Sequence, residues 1–242
     1  VNGKRPIAIS VDDYFVDREK TPLNERGEYD FESIEAVDLK RLNEDLVRLL
    51  EGEEIELPKY NFITGKSEQS GIRIRVDKDH PIIVEGIHGL NPRLTTYIPE
   101  KNKFKIYISA LTQLNIDAHN RISTTDTRLI RRIVRDNKYR GNDVFKTFEL
   151  WQGVREGEEE NIFPFQEEAD VMFDSALVYE LSVLKKYVVP HLEQVDSSCI
   201  YYSESKRLLR FLSYFLDIED ERCIPPNSIL REFIGGSGFD IH

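Results

Sequence analysis

Apolar positions along the chain fall into two rhythms. Short continuous runs (PIAIS at 6–10, PIIV at 81–84, FKIYIS at 104–109 and ADVMF at 169–173) read as strands, the first three as buried ones. Between them the spacing turns helical. Ile34, Val37, Leu42, Leu46 and Leu49 share one face of a helix expected to start at Ser33 and to end at Gly52. Further helices are expected over 127–140, over 143–157 after Gly141, over 177–189, over 203–216 and within 225–233. Residues 16–31, polar and containing Pro22 and Gly27, read as a loop, and Gly235-Gly236-Ser237-Gly238 as a loose exit. The segment 55–76 differs: Pro58, Gly65, Gly71 and the alternation from Ile72 to Val76 predict a hairpin. The opening VNGKRPIAIS reads as a helix end, a turn and then a strand.

Apolar strands separated by helices predict an α/β fold: a parallel sheet with helices on both faces, carrying the 55–76 hairpin as an insertion. The 242 residues, 40% hydrophobic, suffice for one sizeable core, with a second domain left open. A net charge of −11 opposes a dedicated nucleic-acid binder, because an acidic surface repels phosphate backbones. Cys199 and Cys223 have no CxxC or Cys/His spacing, so neither a disulfide framework nor zinc is expected, and a reducing cytoplasm fits. No apolar run approaches 18 residues and no signal-peptide pattern opens the chain, so no membrane span is expected. The acidic cluster EGEEE at 156–160 reads as a solvated helix end.

Ligands of open parallel sheets sit beyond the carboxyl ends of the strands. There PIAIS runs into Asp12 and PIIV into Glu85. Two carboxylates on neighbouring strand ends can hold Mg²⁺ and take a proton from an attacking hydroxyl; they can also be two plain loop acids. Within TDTRLIRRIVRD, Arg128, Arg131, Arg132 and Arg135 stand at i, i+3, i+4 and i+7 and form one guanidinium-rich helix face. Such a face clamps phosphates, or is neutralised by Asp126 and Asp136; a nucleic-acid patch is opposed by the charge balance. Tyr60-Asn61-Phe62 can stack on a base or pack the hairpin, and Trp151 can be core or lid. His88 reads as a hydrogen-bonded structural residue. No GxxxxGK[ST] motif occurs, so this sequence has no P-loop to cradle a triphosphate.

The motifs ISVDDYF, LPKYNF, IIVEGIHGL and TDTRLIRRIVRD, followed by Arg140-Gly141, stand in one order over nearly all of residues 1–175. In this the chain resembles the uridine kinase and phosphoribulokinase group of P-loop kinases, above all bacterial uridine kinase-like proteins in which TGS and synthetase-like domains often precede the kinase domain. The resemblance implies one kinase-like domain over 1–242, with ATP and Mg²⁺ as cofactors and a nucleoside or related small molecule as acceptor. It implies a helical lid at 125–162, a helical C-terminal extension at 177–242, and a P-loop with its strand and helix upstream. By position it makes Asp12 the base that takes the proton from the sugar hydroxyl. Glu85 would hold Mg²⁺ together with Asp12. Tyr60 and Phe62 would line the base pocket, and Glu32 would grip the ribose hydroxyls, a role that a one-residue shift passes to Asp30. Arg128 would lie on the acceptor side, with Arg131, Arg132 and Arg140 in the lid over the phosphates. Two positions depart from the pyrimidine-specific pattern: Gly65 replaces a histidine, and Leu150-Trp151 replaces a glutamine beside an aromatic. Base specificity is therefore open. The leading expectation is an ATP-dependent nucleoside kinase acting on a 5′-hydroxyl, inactive as this stretch alone. The rivals are a non-catalytic nucleotide-sensing or RNA-associated module, and a kinase of a sugar or other polyol. Neither a membrane nor a nucleic acid is expected as partner, and homo-oligomerisation is left open.

Overall fold

The computed structural model describes residues 5–25, 27–77, 80–112 and 114–239. The turn expected at the very start of the chain lies outside the described residues. Strand β1 (Ile7–Ser10) runs directly into a short 3-10 turn, Val11–Tyr14. Helix α1 spans Leu39–Leu50. Its start corrects the expected one. Ser33 caps only a 3-10 turn, Ile34–Ala36, and the helix begins after Asp38, whose Oδ1 accepts the Arg41 N–H at 3.0 Å. A side-chain acceptor at this place satisfies one of the free N–H groups of the first turn. Ile34 and Val37 are buried all the same, from the segment that leads into the helix. Leu42, Leu46 and Leu49 form the buried stripe of α1.

Strands β2 (Glu54–Asn61) and β3 (Lys66–Arg75) form the expected antiparallel hairpin, with an irregularity between Glu56 and Pro58. Proline has no N–H to give to the ladder, which accounts for a break there. Strand β4 (Ile82–Glu85) then pairs with β1 in parallel, Ile7 opposite Ile82 and Ser10 opposite Glu85. Strand β5 (Ile106–Ser109) pairs with β6 (Val171–Asp174). Helices α2 (Thr124–Arg135), α3 (Val144–Asn161), α4 (Glu180–Leu192), α5 (Tyr202–Leu212) and α6 (Leu230–Ile234) complete the chain. The architecture is thus α/β, with the β1–β4 pair parallel and helices between the strands. The strands are less buried than their apolar runs predicted. Ile9 and Tyr107 face the interior, whereas Ile83, Ile106 and Ile108 are 48–61% exposed. Each sheet among the described residues has two strands, so at most one side chain of each alternating pair reaches a core, and β6 is exposed along its whole length.

Two compact units divide the chain: Val1–Tyr107 with Val154–Val171, and Ile108–Gly153 with Met172–His242. In the first, Ile9, Val11, Tyr14, Leu42, Leu49 and Ile55 belong to one core that fixes α1 and the hairpin against the start of the turn after β1. In the second, Leu129, Ile130, Ile133, Val183, Leu184 and Leu208 join α2, α4 and α5. Trp151 packs against that second core, which decides between its two readings in favour of core.

Candidate functional site

The first unit assembles the site predicted from the strand ends. Because β1 and β4 pair in parallel with Ser10 opposite Glu85, Asp12 and Glu85 emerge at neighbouring carboxyl ends. Both are exposed. Tyr14 anchors the turn that carries Asp12: its ring is buried and its hydroxyl donates to Asp45 Oδ2 on α1 at 3.2 Å. Gly86 lets the chain turn away after Glu85. Its φ is +156°, and a Cβ there would lie 2.8 Å from Cβ of Val11. An alanine at 86 would meet both strain and a clash.

Asp13 was not singled out from the sequence. Burial raises its carboxyl above the usual 3.8, the backbone of Tyr60 and the Lys59 ammonium oppose this, and the Glu85 charge adds to it. Asp13 therefore stands electrostatically between the hairpin and Glu85. Its only sequence signal was its position beside Asp12 in the DDYF motif.

The hairpin contributes an aromatic cluster. Tyr60 and Phe62 meet edge to face at 5.0 Å, Phe15 lies 5.5 Å from Tyr60 and 6.3 Å from Phe62, and Phe31 lies 5.8 Å from Phe15. Tyr60 and Phe15 are buried, but Phe62 is 60% exposed. Both readings of the Tyr60-Asn61-Phe62 motif thus apply, to different residues: Tyr60 packs, and Phe62 offers a ring to solvent. The Tyr60 hydroxyl is buried without a hydrogen-bond partner among the described residues.

Glu32 and Asp30, alternatives from the sequence, differ in their local roles. The Asp30 carboxylate accepts the N–H groups of Glu32 and Ser33, each at 3.1 Å, and so is committed to shaping the turn. The Glu32 side chain instead lies against Gly157 of α3, where a Cβ would approach its Oε2 to 3.1 Å. His88 lies under the same turn. It is 1% exposed and faces the backbone of Ser33 and Glu32, although neither ring nitrogen makes a hydrogen bond of ordinary geometry among the described residues. The structural reading of His88 stands, without the expected hydrogen bond.

Burial lowers the His88 pKa below 6.5, and the facing backbone offsets this only in part. The folded protein therefore keeps the ring neutral, whereas the unfolded chain takes up a proton more readily. The resulting stability is full above pH 6.5 and is lost as pH falls from there toward the lower folded value. His88→Gln is expected to flatten this part of the curve, read as the difference in Tm between variant and parent from about pH 8 to about pH 5.

In the second unit, the arginine face of α2 is largely neutralised. Arg131 is buried: Nη1 donates to Ser175 Oγ at 3.1 Å, and Nη2 donates to the Ser175 carbonyl at 2.7 Å and to Glu180 Oε2 at 2.5 Å. The Phe233 ring lies 5.3 Å from its guanidinium carbon. The expectation that Arg131 faces phosphates is not met in this structure, because Glu180 draws it into the interior. After α2 a single π turn, Asp136–Arg140, replaces the expected continuous helix. Arg132 and Arg140 approach opposite oxygens of fully buried Asp136, each at 3.2 Å. Arg135 pairs with Glu232 at 3.0 Å. Asp126, expected to neutralise this face, is instead held by both Nη atoms of Arg207 at 2.7 Å. Arg128 is half-buried and Arg140 exposed.

In the comparison with known proteins, residues 8–182 match the Phosphoribulokinase / Uridine kinase family. The chain belongs to this family. It is 30% identical over 169 residues to a uridine kinase of Oceanobacillus iheyensis, covering 69% of this chain and 71% of that one. It is 25% identical over 172 residues to a uridine kinase of Halobacterium salinarum, covering 70% and 68%. Uridine kinase-like protein 4 of Arabidopsis thaliana is 25% identical over 209 residues, which are 83% of this chain. The chain spans only 39% of that relative's length.

The family implies Mg²⁺, and the donor set suits it. Mg²⁺ prefers hard oxygen ligands and is commonly held by one or two carboxylates, with waters and substrate phosphates completing its shell. Asp12 and Glu85 would be those carboxylates. No cluster of three or more metal-binding side chains exists among the described residues. No helix among them is long and apolar enough to cross a membrane.

Proposed function

We propose that this chain forms the acceptor-binding part of a kinase that transfers a phosphoryl group from ATP to the 5′-hydroxyl of a nucleoside. The carrying observation is the parallel pairing of β1 and β4, which brings Ser10 opposite Glu85 so that Asp12 and Glu85 leave neighbouring strand ends. In this reading Asp12 accepts the proton of the attacking hydroxyl as the bond to phosphorus forms. Glu85 and Asp12 hold Mg²⁺, which supplies neutralisation of phosphate charge when bound. Glu32 accepts hydrogen bonds from the ribose hydroxyls, and Phe62 stacks on the base. Catalysis in such transfers comes mainly from positioning and electrostatics, so a rigid strand-end turn anchored by Tyr14 is an appropriate support. Within the second unit, Arg132 and Arg140 are proposed as phosphate-binding cations, with Asp136 as their competitor in the absence of phosphate. ATP is proposed to bind through a P-loop outside these 242 residues.

The aromatic ring favours a nucleoside over a polyol, which has no face to stack. The experiment is a panel of nucleosides, sugars and polyols with ATP and Mg²⁺, run on a polypeptide that also carries a phosphate-binding loop, with products identified by mass. Nucleoside 5′-monophosphate is expected. Transfer to polyols alone favours the rival kinase reading, and folded protein with no transfer to any acceptor favours the non-catalytic one.

A further inference from the structure

The hairpin turn beside the aromatic cluster carries a cation that the proposed function leaves unused. Arg18 is tied to this turn at both ends. Its backbone N–H donates to the Gly65 carbonyl at 2.8 Å, and its Nη2 donates to the Phe62 carbonyl at 2.7 Å. That second bond is its one side-chain hydrogen bond among the described residues. Gly65 is what makes room for it. The φ of Gly65 is +69°, and a Cβ there would lie 2.8 Å from both Cζ and Nε of Arg18. Any larger residue at 65 would displace the guanidinium, so the glycine and the arginine act as a pair: one vacates the space above the turn and the other fills it with a planar fork of donors.

The fork sits at the residue whose ring is open to solvent, since the carbonyl that holds Arg18 belongs to Phe62. A flat ligand stacked on Phe62 would present an edge in the neighbourhood of Arg18. A guanidinium has only donors. It pairs bidentately with two adjacent acceptors, as it does with O6 and N7 of guanine, and it is mismatched to an edge carrying an amino group, such as N6 of adenine or N4 of cytosine.

We propose that Arg18 is a specificity-determining residue, and that the acceptor it selects is a nucleoside whose base presents two adjacent hydrogen-bond acceptors on its Hoogsteen edge, as O6 and N7 of the 6-oxopurine class do. This rests on the nucleoside-kinase reading above and deepens it. Selection by a fixed fork excludes bases through an unanswered donor as much as it favours those that match. Uracil offers one carbonyl flanked by an N–H and is answered only in part.

Calorimetric titration of the protein with guanosine, inosine, 7-deazaguanosine, adenosine, uridine and cytidine tests this without any need for turnover. Guanosine and inosine are expected to bind about ten-fold or more tighter than adenosine, and 7-deazaguanosine, which lacks N7, to lose about ten-fold against guanosine, the scale of one good bidentate pair. Arg18→Met is expected to bring guanosine and adenosine to comparable affinity while stacking on Phe62 persists. Arg18→Lys, which keeps the charge and can still reach the Phe62 carbonyl, is expected to lose the preference as well, because an ammonium is not a fork. A structural cap alone would change stability and leave the guanosine-to-adenosine ratio where it was. Equal affinities in the parent protein, an unchanged ratio in the Arg18 variants, or no effect of removing N7 would overturn the inference while leaving a nucleoside kinase standing. Failure of every nucleoside to bind would overturn both. The 7-deazaguanosine comparison uses the unaltered protein and decides even if a variant does not fold.

Discussion

Exchanging Asp12 for asparagine is expected to lower the rate of phosphoryl transfer by about 10²–10⁴-fold, the usual contribution of a positioned general base. Asparagine keeps the size of the side chain and can still bond to a hydroxyl, but it cannot take the proton. The loss should therefore fall on kcat, with nucleoside affinity close to the parent's. Glu85→Gln should behave differently: it removes one proposed metal carboxylate, so its loss should shrink as Mg²⁺ is raised, whereas that of Asp12→Asn should persist. Steady-state kinetics of the two variants over a range of Mg²⁺ makes the separation. Equal rescue of both by Mg²⁺ would remove Asp12 from the base's role and leave it as a metal ligand only.

The second large effect is on stability. Arg131 and Glu180 form a buried pair, and Glu180 Oε1 has no partner among the described residues. Burial raises the Glu180 carboxyl despite the Arg131 charge beside it, so desolvation weighs heavily here. Truncating one member strands the other, and Arg131→Ala is expected to cost about 3–5 kcal/mol in unfolding free energy. Glu180→Ala should cost a similar amount. The double replacement by Met at 131 and Leu at 180 should recover much of the loss, since a buried ion pair often contributes no more than apolar packing of the same volume. Urea denaturation of the three variants, followed by helix signal, reads this directly. Were Arg131 a phosphate ligand rather than a core residue, Arg131→Met would slow transfer and leave the unfolding midpoint unchanged.

These two cases mark where the sequence was informative and where it was not. The acids at 12 and 85 were legible because their signal is local: a short apolar run, then a carboxylate. Chain order and the parallel rule did the rest, and β1 pairs with β4 as that argument requires. The hairpin was legible from Pro58, Gly65 and the alternation after Gly71. The arginine stripe was legible as a helix face but not as chemistry. Its spacing could not reveal Glu180, which lies 49 residues from Arg131 and turns it inward, nor that Asp126 would be taken by Arg207, 81 residues away. The helix start was misplaced for a nearer reason. Ser33 and Asp38 are both good caps, and only the 3-10 turn that intervenes shows which of them caps the helix. Arg18 gave no signal because its meaning depends on a carbonyl 44 residues further on.

The same division applies to burial. Runs such as IIVE and IYIS read as buried strands because every residue but the last is apolar. The structure exposes Ile83, Ile106 and Ile108 because each strand finds a single partner among the described residues and a core on one side. An apolar run reports what a strand can bury, and the number of neighbours decides what it does bury.

A structure of the protein with a bound nucleoside tests most directly whether the first unit is an acceptor site. The expected result is a base stacked on Phe62, ribose hydroxyls within hydrogen-bond reach of Glu32, and the 5′-hydroxyl directed at the Asp12 carboxylate. A nucleoside bound away from Phe62, or seated there with its 5′-hydroxyl turned from Asp12 and toward solvent, would contradict it.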